Sequence, residues 1–147
     1  MYKCLLVPVD GSEISLRAMD ESLALAAQLG ASVVGVVVEA LPPLPSSGAA
    51  LANYQREVSA HEAKTAAHGN KVLSHFESLA REKNVPFEAR LERDDDIAGA
   101  IAKTAESQGA DLIVMVTHGR GTFGELLFGS HTKNVMSRTR LPLLVLH

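Results

Sequence analysis

Cysteine is almost absent. Cys4 stands alone among 147 residues, which excludes an intramolecular disulfide framework and a cysteine-rich zinc site and fits a reducing compartment. A basic surplus is missing too: fourteen Lys plus Arg face seventeen Asp plus Glu, a formal net charge of −3. Nothing is left over to neutralise phosphates along a duplex, which argues against a dedicated nucleic-acid binder. No apolar run approaches the roughly 20 residues of a membrane span, and the apolar part of the opening MYKCLLVPVDG is too short for a signal peptide. These absences lead us to expect a soluble, cytoplasmic protein with no nucleic-acid partner and no membrane insertion. The 46% hydrophobic content is ordinary for a globular protein, and the length suits one domain, 1–147.

Lys3 to Val9 is a short apolar run of the kind that forms a strand covered on both faces. It stops at Asp10-Gly11-Ser12, a turn in which Ser12 or Asp10 can cap a following helix. Ser12 to Leu29 carries Ile14, Ala18, Met19, Leu23 and Ala26 at helical spacing, and Gly30 is a suitable stop. Ala31 to Glu39 is a second buried strand, rich in valine. Strand, helix, strand with short connections is a βαβ unit with parallel strands. The three prolines of Leu41 to Gly48 predict a loop. A long helix follows, from about Ala49 to Lys83, with Gly69-Asn70 as a candidate kink or break. Pro86 to Glu92 alternates apolar and charged residues, as a strand near a sheet edge does.

Asp94-Asp95-Asp96 precedes a helix over Ile97 to Gln108, then a fourth strand runs from Ala110 to Val116. A Gly-rich segment, a helix from about Gly129 to Arg138 and a closing strand Leu141 to Leu146 complete the pattern. Five strands alternating with four helices imply an α/β fold: a doubly wound, five-stranded parallel sheet with helices on both faces, three-layered and Rossmann-like.

In such sheets ligands sit outside the carboxyl ends of the strands, where the strand order reverses. Two features fall at strand ends: Pro8-Val9-Asp10, and the segment VTHGRGTFGELLFGS over residues 116–130. Gly119, Gly121, Gly124 and Gly129 allow an anion to approach the backbone closely. Ser130 opens a helix whose free N–H groups favour phosphate. The plainer reading is a loop with a serine cap. Two familiar motifs fail on inspection. Gly119-Arg120-Gly121-Thr122-Phe123-Gly124 fits a dinucleotide fingerprint, but no acidic residue ends the next strand. Gly124 to Ser130 imitates a P-loop without its phosphate-gripping lysine.

The pieces VPVDGSE at 7–13, ADLIVMVTHGRG at 110–121, FGS at 128–130 and LPLLVL at 141–146 resemble the universal stress protein family along the whole chain. ATP-binding members carry Gly, two residues, Gly, nine residues, then Gly and Ser or Thr. Gly119, nine residues, Gly129 and Ser130 fit that pattern, while Val116 stands at the first glycine. The resemblance implies ATP with Mg2+ as cofactors. Pro8 and Val9 would flank the nucleotide, Asp10 would face the ribose or the metal, and Val37 would meet adenine. Met115, Val116, Thr117, His118, Gly119 and Arg120 would wrap ribose and phosphates, and Gly129, Ser130 and His131 would hold the terminal phosphates. It further implies a homodimer through the C-terminal strand, acting as a nucleotide-dependent stress regulator or sensor. No motif ties a general base to an activated nucleophile, so an enzyme is not expected; slow ATP hydrolysis or self-phosphorylation at Ser130 is implied only at family level. The competing reading is a dimeric interaction module that takes no nucleotide.

Three other features have plain readings. His61, His68 and His75 recur every seven residues, roughly 10.5 Å along a helix, too far apart to share a metal; an exposed stripe is expected. Asp94 to Asp96 are expected to cap a helix, and Cys4 to fill core space.

Overall fold

The computed structural model describes residues 1–48, 50–116 and 130–147; of Ser130 and His131 it describes the backbone only. The elements are β1 (Cys4–Pro8), α1 (Glu13–Leu29), β2 (Ser32–Glu39), α2 (Leu51–Glu82), β3 (Phe87–Arg93), α3 (Ile97–Ser107), β4 (Leu112–Val116), α4 (Ser130–Arg138) and β5 (Leu143–Leu146). The strands form one sheet in the order β3-β2-β1-β4-β5, and every neighbouring pair is parallel. The fold is therefore the expected doubly wound α/β sheet, with strand ends trimmed by a residue or two except in β3, which is shifted one residue on to Arg93.

Alternation along each strand feeds two cores. Leu5 and Val7 of β1 join Met19, Leu23 and Phe76 under α1 and α2. Leu6, between them, joins Ile101, Ala105 and Val135 under α3 and α4. Both faces are covered, which is why the strands read as nearly continuous apolar runs. The exception is β3, a sheet edge, whose Glu88 and Ala89 are exposed while Arg90 is half-buried. The amino ends of β1 and β4 are pinned together by Asp111, whose carboxylate accepts the N–H groups of Lys3 at 2.8 Å and Cys4 at 3.1 Å. The Cys4 thiol, in the strand beside them, is pushed up by burial, so thiolate chemistry is suppressed.

The helix α2 does not break at Gly69-Asn70. It runs unbroken for 32 residues, about 48 Å. Gly69 is buried and answers a packing demand: a Cβ there would lie 2.5 Å from Leu91 Cδ1 and 2.6 Å from Glu39 Oε1. The helix approaches the sheet too closely for any side chain at this point. Glu39, only 6% exposed at the end of β2, accepts from Arg93 Nε at 3.4 Å. Arg93 in turn donates to the Glu62 carbonyl at 2.9 Å, fastening the middle of α2 to the carboxyl edge of the sheet.

Candidate functional site

The chain enters the sheet at its centre, winds outward through β2 and β3, then returns to the other side of β1 as β4. The reversal falls between β1 and β4, and a cleft of about 370 Å³ opens at their carboxyl ends. Its walls are apolar: Pro8 and Val9 at the end of β1, Val36 and Val38 from β2, Met115 and Val116 from β4, and Ile97 and Ile101 from α3. Its mouth is polar, with Asp10, Ser12 and Ser15. An apolar slot with a few convergent polar groups is the usual form of a small-molecule site.

The mouth is built by the turn that the sequence places between β1 and α1. Ser12 is the N-cap of α1, its hydroxyl accepting from the Ser15 N–H at 3.3 Å. The Ser12 N–H donates to Asp10 Oδ1 at 2.9 Å, and the Gly11 N–H donates to Ser15 Oγ at 2.9 Å. Loss of water pushes the Asp10 carboxyl up, but the hydrogen bonds led by those from Ser12 outweigh it and hold the group below the usual aspartate range. Asp10 is thus an ionised, solvent-facing carboxylate at the cleft mouth. No cluster of three or more His, Cys, Asp or Glu side chains among the described residues could enclose a metal. Asp10 fits instead the way magnesium is usually held, by one or two carboxylates with phosphate oxygens and water.

Of the residues singled out in the sequence, Pro8, Val9, Asp10, Met115 and Val116 come together around this cleft. Val37 does not join them. Its side chain is buried in the core beneath α1 and α2, where a Cβ on Gly69 would approach its Cγ1 to 3.3 Å. The β2 wall belongs to Val36 and Val38, one residue to either side. Thr117, His118, Gly119, Arg120 and Gly129 lie outside the described residues, and Ser130 and His131 begin α4. Sequence reasoning missed Ile97 and Ile101. Their i, i+4 spacing just after the Asp94–Asp96 turn marks one face of a helix starting at the carboxyl edge, the signal that could have found them.

The acidic turn caps α3 as expected through Asp96, while Asp94 and Asp95 bond elsewhere. Asp94 accepts from the Asp96 N–H at 2.8 Å, Asp95 from the Leu41 N–H at 3.0 Å, and Asp96 caps α3 through the Gly99 N–H at 3.1 Å. The Gly99 bond and the Arg138 guanidinium hold the Asp96 carboxyl below its ordinary range. The histidine stripe is less idle than expected. His68 Nε2 lies 3.1 Å from the Asp10 carbonyl, while His61 Nε2 is 3.5 Å from the Ala40 carbonyl, at the outer limit of a hydrogen bond.

Comparison with known proteins adds to this geometry. The family model described as the Universal stress protein family matches residues 1–147. A universal stress protein of Thermus aquaticus is 33% identical over 147 residues, covering 99% of this chain and 98% of its own. A solved structure of a universal stress protein family member from Burkholderia pseudomallei has a TM-score of 0.76 at 27% identity, covering 99% of this chain and 96% of that one. A universal stress protein solved in complex with cAMP has a TM-score of 0.69 at 24% identity, covering 99% and 97%.

Proposed function

The chain belongs to the universal stress protein family, and on that premise we propose that it binds ATP with magnesium in the cleft between β1 and β4. One observation carries the reading: an apolar slot at the switch point with an ionised Asp10 at its mouth. Pro8, Val36, Val38 and Met115 give a flat base an apolar seat, and Asp10 serves the ribose or a phosphate-bound cation. Gly119, Gly129, Ser130 and His131 supply the phosphate contacts in this reading, by the motif spacing. The cAMP complex of a protein with this fold supports an adenine nucleotide as the ligand class.

The protein acts, in this proposal, as a cytoplasmic nucleotide-dependent regulator and not as an enzyme. It works as a homodimer through β5, which forms a sheet edge and whose four apolar residues are only half-buried. One observation favours the second reading, an interaction module without nucleotide: Val116, at the motif's first glycine position, puts a β-branched side chain into the cleft lining.

Thermal melting with and without Mg-ATP, after a check for co-purified nucleotide, separates the two. Ligand at about 100 times its dissociation constant adds roughly 2.7 kcal/mol, a rise of about 5–10 °C in a domain of this size. No rise, with no nucleotide carried through purification, leaves the interaction module standing.

A further inference from the structure

We propose that His68 is a positioning residue of the cleft: by holding the Asp10 carbonyl it fixes the turn that aims the Asp10 carboxylate, and so sets the affinity for a magnesium-bound nucleotide. The inference rests on the nucleotide reading above and extends it to a helix that lines no part of the cleft.

The carbonyl of Asp10 and the N–H of Gly11 belong to one planar peptide group. The structure holds both ends of it. The Gly11 N–H donates to Ser15 Oγ of α1 at 2.9 Å, and the Asp10 carbonyl lies 3.1 Å from His68 Nε2 of α2. A carbonyl oxygen only accepts, so Nε2 carries the hydrogen. Rotation of that peptide plane is the movement by which such a turn changes type; it would break the Gly11 bond to Ser15 and loosen the turn whose Ser12 N–H holds the Asp10 carboxylate at 2.9 Å. Gly11 has φ +85°, and a Cβ there would come 2.8 Å from Val72 Cγ2 and 3.3 Å from His68 Cε1. The turn is therefore seated directly on α2, with only a glycine's worth of space. His68 remains open to water on its other side, which makes its hydrogen bond a modest hold.

The experiment compares His68→Leu, which keeps bulk and loses the donor, with His68→Gln, whose amide places an N–H close to the position of Nε2. Calorimetric titration with Mg-ATP, and with ATP in EDTA, is paired with hydrogen exchange at the Gly11 amide. We expect His68→Leu to lose about threefold in Mg-ATP affinity, the scale of one partly exposed hydrogen bond, with a smaller loss in EDTA. Exchange at Gly11 should accelerate in His68→Leu, and His68→Gln should restore both readings. Wild-type Mg-ATP affinity in His68→Leu overturns the inference, as does equal weakening in both variants. If the unaltered protein takes no Mg-ATP, the nucleotide reading falls instead. The Gly11 exchange then decides on His68 alone: faster in His68→Leu than in His68→Gln sustains its hold on the turn, and equal rates remove it.

Discussion

From Gly69 onward α2 buries Val72, Leu73, Phe76 and Ala80 against the sheet, whereas from Leu51 to His68 no residue of the same helix is fully buried. The backbone geometry is continuous, so hydrogen bonding within the helix does not distinguish the halves. What differs is the surface beneath. The second half lies over β2 and β3, where Phe76 meets Phe87 with ring centroids 4.8 Å apart. The first half overhangs, with Leu51 71% exposed. A helix is thus anchored by one stretch of contact and carried past it by its own cooperativity, and the anchor lies beside the Asp10 turn.

The sharpest way to break this contrast is to remove its anchor. Phe76→Ala should cost about 3–5 kcal/mol, read as a fall of about 10 °C in the melting midpoint. Gly69→Val forces the helix off Leu91 and Glu39, and should cost about 1–3 kcal/mol in urea unfolding. At the boundary between the halves, acid titration probes the turn itself. The Asp10 carboxyl is lowered in the folded state, so its contribution to stability is complete above the ordinary aspartate range and fades as pH falls through and below it. Asp10→Asn should therefore lower stability at neutral pH, where that contribution is complete, and converge on wild type in acid, so that its stability depends less steeply on pH. Smallest of all, Leu51→Ala in the overhanging half should stay within about 0.5 kcal/mol of wild type by the same urea titration.

The same contrast explains what could be read from the chain. Periodicity made the strands and helices legible, because βαβ units leave an apolar run, a turn and an amphipathic stripe in order. It did not show that α2 passes through Gly69 unbroken. A glycine in a helix looks like weakness in sequence and becomes a close approach only when β2 and β3 lie against it. The cleft was legible where strands end, at Pro8, Val9, Asp10, Met115 and Val116. The β2 wall was not. The run SVVGVVVE is buried on both faces, so it carries no alternation to tell Val37 from Val36 or Val38, and a parity error of one residue turns a side chain to the other face of the sheet. The contact between His68 and Asp10 joins groups 58 residues apart, and no local pattern announces it.

The pinning of β1 to β4 by Asp111 also bears on the order in which the molecule is assembled. Ser32 reaches the Lys3 carbonyl across 29 residues, while Asp111 reaches the Lys3 N–H across 108. Closing the longer loop from a flexible chain costs about 1.2 kcal/mol more in entropy, and the first three strands can pair before it closes. Loop entropy thus favours closing the β1–β2 pair before the β1–β4 seam, and the cleft at the end of that seam needs the seam closed. A ligand that binds there stabilises the sheet in which that seam is closed, and so acts on a contact between residues 108 apart in the chain.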